Sequence, residues 1–125
     1  MIENKLSGAI VDAIHEIHSA LGPGLLESVY EEALVYETRQ RKLVIARQAT
    51  LAVSYKGLMI PDAFRVDLLV GNRVIVELKA VDTITNVHKK QLLTYLKLSG
   101  YKLGLLINFN TDLVKNGITR MVNGL

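Results

Sequence analysis

Apolar residues Leu6, Ile10, Ala13, Ile14, Ile17 and Leu21 recur at steps of three and four along the first stretch of the chain. That period predicts a helix over Ile2 to Leu21 with a single apolar stripe. Gly22-Pro23-Gly24 ends it, since Pro23 cannot extend the hydrogen-bond ladder and the glycines permit a sharp redirection. From about Leu26 to Arg41 the residues Val29, Tyr30, Ala33, Leu34 and Glu37 again fall at helical spacing, and the two helices are expected to form a hairpin.

Beyond Lys42 the period changes to two. Ala49 to Tyr55 alternates and ends in Lys56-Gly57, and Phe64 to Val70 and Arg73 to Ala80 read as two further strands around Gly71-Asn72, a hairpin signal. Asn86 to Ser99 returns to a helical pattern, with Gly100 as its C-terminal cap. Tyr101 to Phe109 is a near-continuous apolar run and is expected to be an internal strand, while Asp112 to Val122 reads as weakly helical. The expected fold class is α/β: a central mixed sheet of about four strands, with antiparallel hairpins and one parallel crossover, flanked by helices. With 125 residues, half of them hydrophobic, the chain suits one domain over residues 1–125.

The hairpin around Gly71-Asn72 poses a register problem that the side chains themselves resolve. A strict two-residue turn would pair Asp67 with Val76 and Val66 with Glu77, mixing polar and apolar sets. Shifting by one residue, through a three-residue or bulged turn with glycine or asparagine in a left-handed conformation, places Val66, Leu68, Val70, Val74, Val76 and Leu78 on one face. Asp67, Glu77 and Lys79 then share the other, with Arg65 in phase with them. Two carboxylates this close repel unless something positive lies between them, and a hard divalent cation such as magnesium or manganese is the usual solution. Lys79 would orient a water or stabilise charge on a phosphate. Taken alone, such a trio also describes an exposed cross-strand ion network, but the apolar residues around it point to an interior hairpin, where charges are unexpected unless they serve a function.

Composition narrows the chemistry. Cysteine is absent, which excludes disulfides, thiolate metal sites and cysteine nucleophiles, so a metal here must be held by oxygen or histidine. The net charge is +3, with basic residues spread among acidic ones, which permits nucleic-acid binding without requiring it. No secretory signal pattern and no apolar run of about 18 residues is present, so a soluble cytoplasmic protein without a membrane span is expected.

Phe64-Arg65-Val66-Asp67-Leu68-Leu69-Val70 followed by Val74-Ile75-Val76-Glu77-Leu78-Lys79 resembles the second and third motifs of the PD-(D/E)XK nuclease superfamily. Gln91-Leu92-Leu93-Thr94-Tyr95 resembles the Gln-X-X-X-Tyr motif of its RecB-like exonuclease branch, and Gly24-Leu25-Leu26-Glu27-Ser28-Val29-Tyr30 is similar to the signature of the GxxExxY protein family. The resemblance extends to Leu105-Leu106-Ile107-Asn108-Phe109 and covers nearly the whole chain. It implies a nuclease-like fold and hydrolysis of DNA or RNA with Mg²⁺ or Mn²⁺. Asp67, Glu77, Lys79 and Gln91 would form the catalytic set, Glu27, Asp67 and Glu77 would hold the metal, and Gln91 and Tyr95 would position the site or the nucleic-acid backbone. Arg65, in phase with Asp67, either pairs with a carboxylate or contacts phosphate, and His88, one turn before Gln91, would face the site and contact nucleic acid.

From spacing alone, Glu27 is equally a first-turn acid favoured by the helix dipole, whereas Tyr30 and Tyr95 read first as core tyrosines with satisfied hydroxyls rather than as catalytic groups. Gln91 and His88 read as well as ordinary exposed helix residues. Pro61-Asp62 is a literal Pro-Asp pair but is expected in a turn, out of phase with Glu77. The small size leaves a second class of function open: a non-catalytic nucleic-acid-binding or partner-binding module on the same fold, with a homodimer or a partner protein completing the surface.

Overall fold

The computed structural model describes residues 2–125. Helix α1 spans Ile2–Leu21 and buries Ile10, Ala13, Ile14 and Ile17, the stripe expected from its period. It closes where Gly22 N–H donates to His18 O at 2.8 Å and Gly22 takes φ +70°. Helix α2 spans Glu27–Gln40 and buries Tyr30, Leu34, Val35 and Thr38. Together these helices cover one face of a five-stranded sheet.

The strands are β1 (Ile45–Tyr55), β2 (Leu58–Val70), β3 (Val74–Lys79), β4 (Leu103–Asn108) and β5 (Ile118–Val122), lying side by side in that order. β1, β2 and β3 form an antiparallel meander, and helix α3 (Asn86–Ser99) carries the chain across to β4, which runs parallel to β3. The mixed sheet and the parallel crossover are as expected. β4 is buried along its whole length, as its apolar run predicts for an internal strand.

Two cores result. Residues from α1 and α2 pack on Leu68, Val70, Val74, Val76, Leu78, Leu103, Leu105 and Ile107. On the opposite face Leu92 and Leu96 of α3 pack on Val66, Leu69, Ile75 and Leu106. Gly104 of β4 makes room there, because a β-carbon would press into the Leu92 side chain.

Three sequence expectations need correction. The segment expected to be weakly helical is a 3₁₀ turn, Val114–Gly117, followed by β5 paired antiparallel with β4, so the sheet has five strands rather than four. The branched residues of Ile118-Thr119-Arg120-Met121-Val122 favour a strand once β4 offers an open edge, a condition local pattern does not reveal. Next, β1 begins at Ile45 and β2 at Leu58, so Pro61 and Asp62 lie within a strand. They form a bulge between the Leu51↔Phe64 and Val53↔Ile60 rungs, with Asp62 at φ +50°, and a bulge suits Pro61, which has no N–H to offer the ladder. Finally, Val66 packs with the α3 core rather than with Leu68 and Val70, because alternation breaks at Asp67.

Glycine at position 117 is required by packing: a β-carbon there would overlap the carbonyl of Asn108. Gly117→Ala is therefore expected to destabilise the protein by about 1–3 kcal/mol in denaturant unfolding. Gly8, inside α1 with nothing within 4 Å of its β-carbon position, is the contrasting case, and Gly8→Ala should stabilise by about 0.5–1 kcal/mol in the same measurement.

Candidate active site

The β2–β3 connection is a three-residue turn. Val70 pairs with Val74, Arg73 N–H donates to Val70 O at 3.1 Å, and Gly71 and Asn72 both take left-handed φ values of +60° and +54°. That is the register inferred from the apolar pattern, and it sets Asp67 opposite Glu77.

The backbone ladder stops one residue short of that pair, at Leu68↔Val76. Side chains take over from there: Leu78 N–H donates to Asp67 Oδ2 at 2.8 Å, and Asp67 N–H donates to Glu77 Oε1 at 3.3 Å. Each carboxylate thus accepts a backbone proton from the opposite strand. Freed from the ladder, β2 changes phase at Asp67, which sends Val66 to the α3 side.

Glu77 is only 7% exposed, whereas Asp67 is half-buried. Burial pushes the Glu77 carboxyl up to about 8, and the neighbouring Asp67 adds to the rise through its charge and its hydrogen bond. The Asp67 amide and the Lys79 ammonium pull the other way without cancelling it. Lys79, half-buried, sits in register with Asn108 of β4 and within electrostatic reach of Glu77. On α3, Tyr95 stacks on Phe64 with centroids 4.5 Å apart, and its hydroxyl is raised by burial first and then by the charges of Glu77 and Asp67. Both observations place Tyr95 beside the carboxylate pair.

Glu27 approaches from the other side of the sheet. It is the first residue of α2, is exposed, and accepts the Ala80 N–H at 3.1 Å just past the end of β3. Glu27, Ser28, Glu31, Gln48, Asp67 and Leu78 line one cleft of about 200 Å³. Tyr30 fixes this approach from below: its hydroxyl donates to Gly22 O at 2.6 Å and accepts from Leu25 N–H at 3.2 Å, while its ring stacks on Phe109 at 4.2 Å. Buried and satisfied, Tyr30 holds the Gly22-Pro23-Gly24 bend that launches α2.

The remaining candidates divide. Gln91 lies one turn before Tyr95 on α3, is exposed, and makes none of the described side-chain hydrogen bonds. His88 completes the N-terminal cap of α3, its Nδ1 accepting from Thr85 N–H at 3.1 Å while Thr85 Oγ1 accepts from His88 N–H. Arg65 is exposed and takes part in none of the described ion pairs.

Two contributors escaped the sequence reading. Asn108, 2% exposed, donates from Nδ2 to Val81 O at 2.8 Å and accepts from Val81 N–H and Asn110 N–H, clamping the chain that leaves β3 after Lys79. Its signal was visible as the one polar residue in the apolar run from Leu103 to Phe109. Gln48, left-handed at φ +46° within β1, donates to Glu31 Oε1 at 2.6 Å and forms part of the cleft wall. Nothing in the local sequence marks it.

The donor set of Asp67 and Glu77 fits a hard divalent cation. Magnesium is commonly bound through one or two carboxylates, with water and substrate phosphate completing the shell, and a cation between these groups would relieve the repulsion that raises Glu77. Among the described residues no three acidic or histidine side chains are already gathered as a metal cage. Glu27 shares its cleft with Asp67, while Glu77 lies outside that lining.

Compared with sequence models of known families, the chain matches the PD-(D/E)XK nuclease superfamily over residues 4–121. It belongs to that superfamily, and its fold is the mixed, helix-flanked sheet of a PD-(D/E)XK nuclease. These enzymes generally use divalent metal ions and act on nucleic acid. No match is found among curated proteins or solved structures. Among the described residues no helix is long and apolar enough to cross a membrane.

Burial of Glu77 has a consequence for stability. Between about pH 4.5 and 8 the folded, metal-free protein keeps a proton that the unfolded chain has lost, so this group's contribution to stability falls as pH rises through that window. Glu77→Gln removes the liability. It is expected to raise the melting temperature of metal-free protein by roughly 5 °C at pH 9 and to leave it nearly unchanged at pH 4, as read by calorimetry at both pH values.

Proposed function

We propose that this chain is a cytoplasmic, divalent-metal-dependent nuclease of the RecB-like, GxxExxY kind that hydrolyses phosphodiester bonds in DNA or RNA. One observation carries the reading: Asp67 and Glu77 are held together where β2 and β3 part, with Lys79 beside them. In this reading Asp67 and Glu77 hold Mg²⁺ or Mn²⁺, and Glu27, across the cleft, assists. The metal, when bound, supplies activation of the attacking water and neutralisation of phosphate charge.

The chain's own residues do the rest. Asp67 and Glu77 take their orientation from the opposing backbone amides, so neither needs to reorganise when charge develops. Lys79, following Glu77 on the same strand, places an ammonium where it orients the water or offsets charge on the phosphate. Gln91 and Tyr95 present polar groups from α3 that position the site, while Arg65 and His88 contact the nucleic-acid backbone beside it. A domain this small leaves room for a second copy or a partner protein to extend the substrate surface.

A second reading, a non-catalytic nucleic-acid-binding or partner-binding module on the same fold, is favoured by the absence of a preformed three-residue metal cage among the described residues. Cleavage separates the two. Purified protein is expected to cut DNA or RNA in Mg²⁺ or Mn²⁺, and Lys79→Ala should abolish cutting while circular dichroism shows the fold intact. In parallel, calorimetric titration should show Mn²⁺ binding that Asp67→Asn removes. Clean protein that binds no Mn²⁺ and cuts no single- or double-stranded DNA or RNA would sink the nuclease reading.

A further inference from the structure

Beyond the Leu51↔Phe64 rung, β1 and β2 leave the body of the protein as a two-stranded arm. Its rungs Val53↔Ile60, Ser54↔Met59 and Tyr55↔Leu58 are regular, and Lys56 and Gly57 close it with left-handed φ values of +49° and +83°. Every residue from 54 to 63 is exposed. The arm is thus a built ribbon rather than a loose loop, and it carries large apolar side chains into water: Tyr55 at 57%, Leu58 at 61% and Met59 at 62% exposure. The fold gains nothing from that exposure, and exposed apolar patches of this kind mark a contact surface.

Position and charge identify the occupant. The arm is the direct continuation of the strand that bears Asp67, and Phe64 at its base stacks on Tyr95. All acids in the described ion pairs belong to α1 and α2, where they neutralise Arg41, Arg47 and Arg73. Lys56 at the tip, Arg65 past the base and Lys79 at the site form none of those pairs. Residues 56–125 carry ten lysines and arginines against five acids, two of which are Asp67 and Glu77 themselves. Along this route a polyanion meets Lys56, Arg65 and Lys79, with Asp62 in the bulge as the one acid between the tip and Arg65.

We infer that the β1–β2 arm inserts into the major groove of double-stranded DNA and so sets a duplex beside Asp67 and Glu77. The B-form major groove, about 12 Å wide and 8.5 Å deep, admits a two-stranded ribbon. From the Leu51 rung to the Tyr55 tip the arm reaches about 13 Å, four residues at ~3.3 Å each, enough to touch the groove floor. There Leu58, Met59 and Tyr55 meet base edges and thymine methyl groups while Lys56 and Arg65 meet phosphates. An RNA duplex offers a major groove too deep and narrow for the ribbon.

The inference rests on the nuclease reading only in taking nucleic acid as the ligand, and binding in metal-free buffer tests it apart from cutting. Fluorescence anisotropy with a DNA duplex of about 20 base pairs, its single strand, and the matching RNA duplex is the measurement. The wild type is expected to bind the DNA duplex about tenfold more tightly than the other two, and the combined variant Tyr55→Ala, Lys56→Ser, Met59→Ser should lose about tenfold for the DNA duplex alone. Lys56→Glu, a single change at an exposed tip, is expected to weaken duplex binding in the same direction, more so at low salt, and stands in if the combined variant does not fold. Arm variants that bind the DNA duplex as tightly as wild type overturn the inference. So does a wild type that prefers single strands or RNA, or binds none of the three. Arm substitutions that turn a dimer into a monomer on sedimentation without changing duplex affinity overturn it in favour of a second copy of the chain. Binding that depends on the arm without any cutting strikes the nuclease reading and leaves this one standing; cutting without dependence on the arm does the reverse.

Discussion

Where the backbone ladder between β2 and β3 ends, two carboxylates continue it. Asp67 receives the Leu78 amide and Glu77 receives the Asp67 amide, so the hairpin stays closed at a place where no backbone rung joins its strands. A hydrogen bond from an amide to a carboxylate is stronger than a neutral one, which holds Asp67 on the Leu78 amide, and the Asp67 amide opposes part of the rise that burial imposes on Glu77. The exchange accounts for several features at once. It leaves a gap in the backbone ladder, it breaks the alternation so that Val66 joins the α3 core, and with burial it leaves Glu77 with a strong preference for a proton or a cation. A simple β rung at this position would give a more regular strand and no such preference.

The layers around the hairpin serve that gap in different ways. On one face Tyr30, stacked on Phe109 and tied to both sides of the Gly22-Pro23-Gly24 bend, fixes the start of α2 so that its first residue meets the amide of Ala80. On the other, α3 brings Tyr95 against Phe64 and covers Ile75 and Leu69. β4, buried on both sides, supplies Asn108, whose side chain holds the strand exit after Lys79. Charge follows the same division: ion pairs concentrate on the α1 and α2 side, where Arg47 holds Glu31 at the cleft wall, while Lys79 takes part in none of the described pairs.

Much of the architecture was legible because its signals are local. The stripe of α1, the apolar run of β4 and the cap at Gly100, which takes φ +81°, each depend on residues close in sequence. The register of the central hairpin was legible for a related reason: only an odd-length turn at Gly71-Asn72-Arg73 keeps the apolar and charged sets apart, and that is the turn observed. β5 was not, since Ile118 to Val122 becomes a strand only when the edge of β4 is there to pair with it. Nor was the arm, because Pro61-Asp62 looks like a turn until the rungs on either side show it to be a bulge.

By itself, the sequence determined that Asp67 and Glu77 must face one another, since burial of their apolar neighbours admits a single register, and that any metal must be held without cysteine. Tertiary structure decided the rest. Packing of α2 against the end of β3 set Glu27 on the Ala80 amide and in the cleft that Asp67 also lines, and burial pushed the Glu77 carboxyl up to about 8. Those outcomes depend on distances between residues far apart in the chain and on the exclusion of water between them, and neither quantity exists until the layers close.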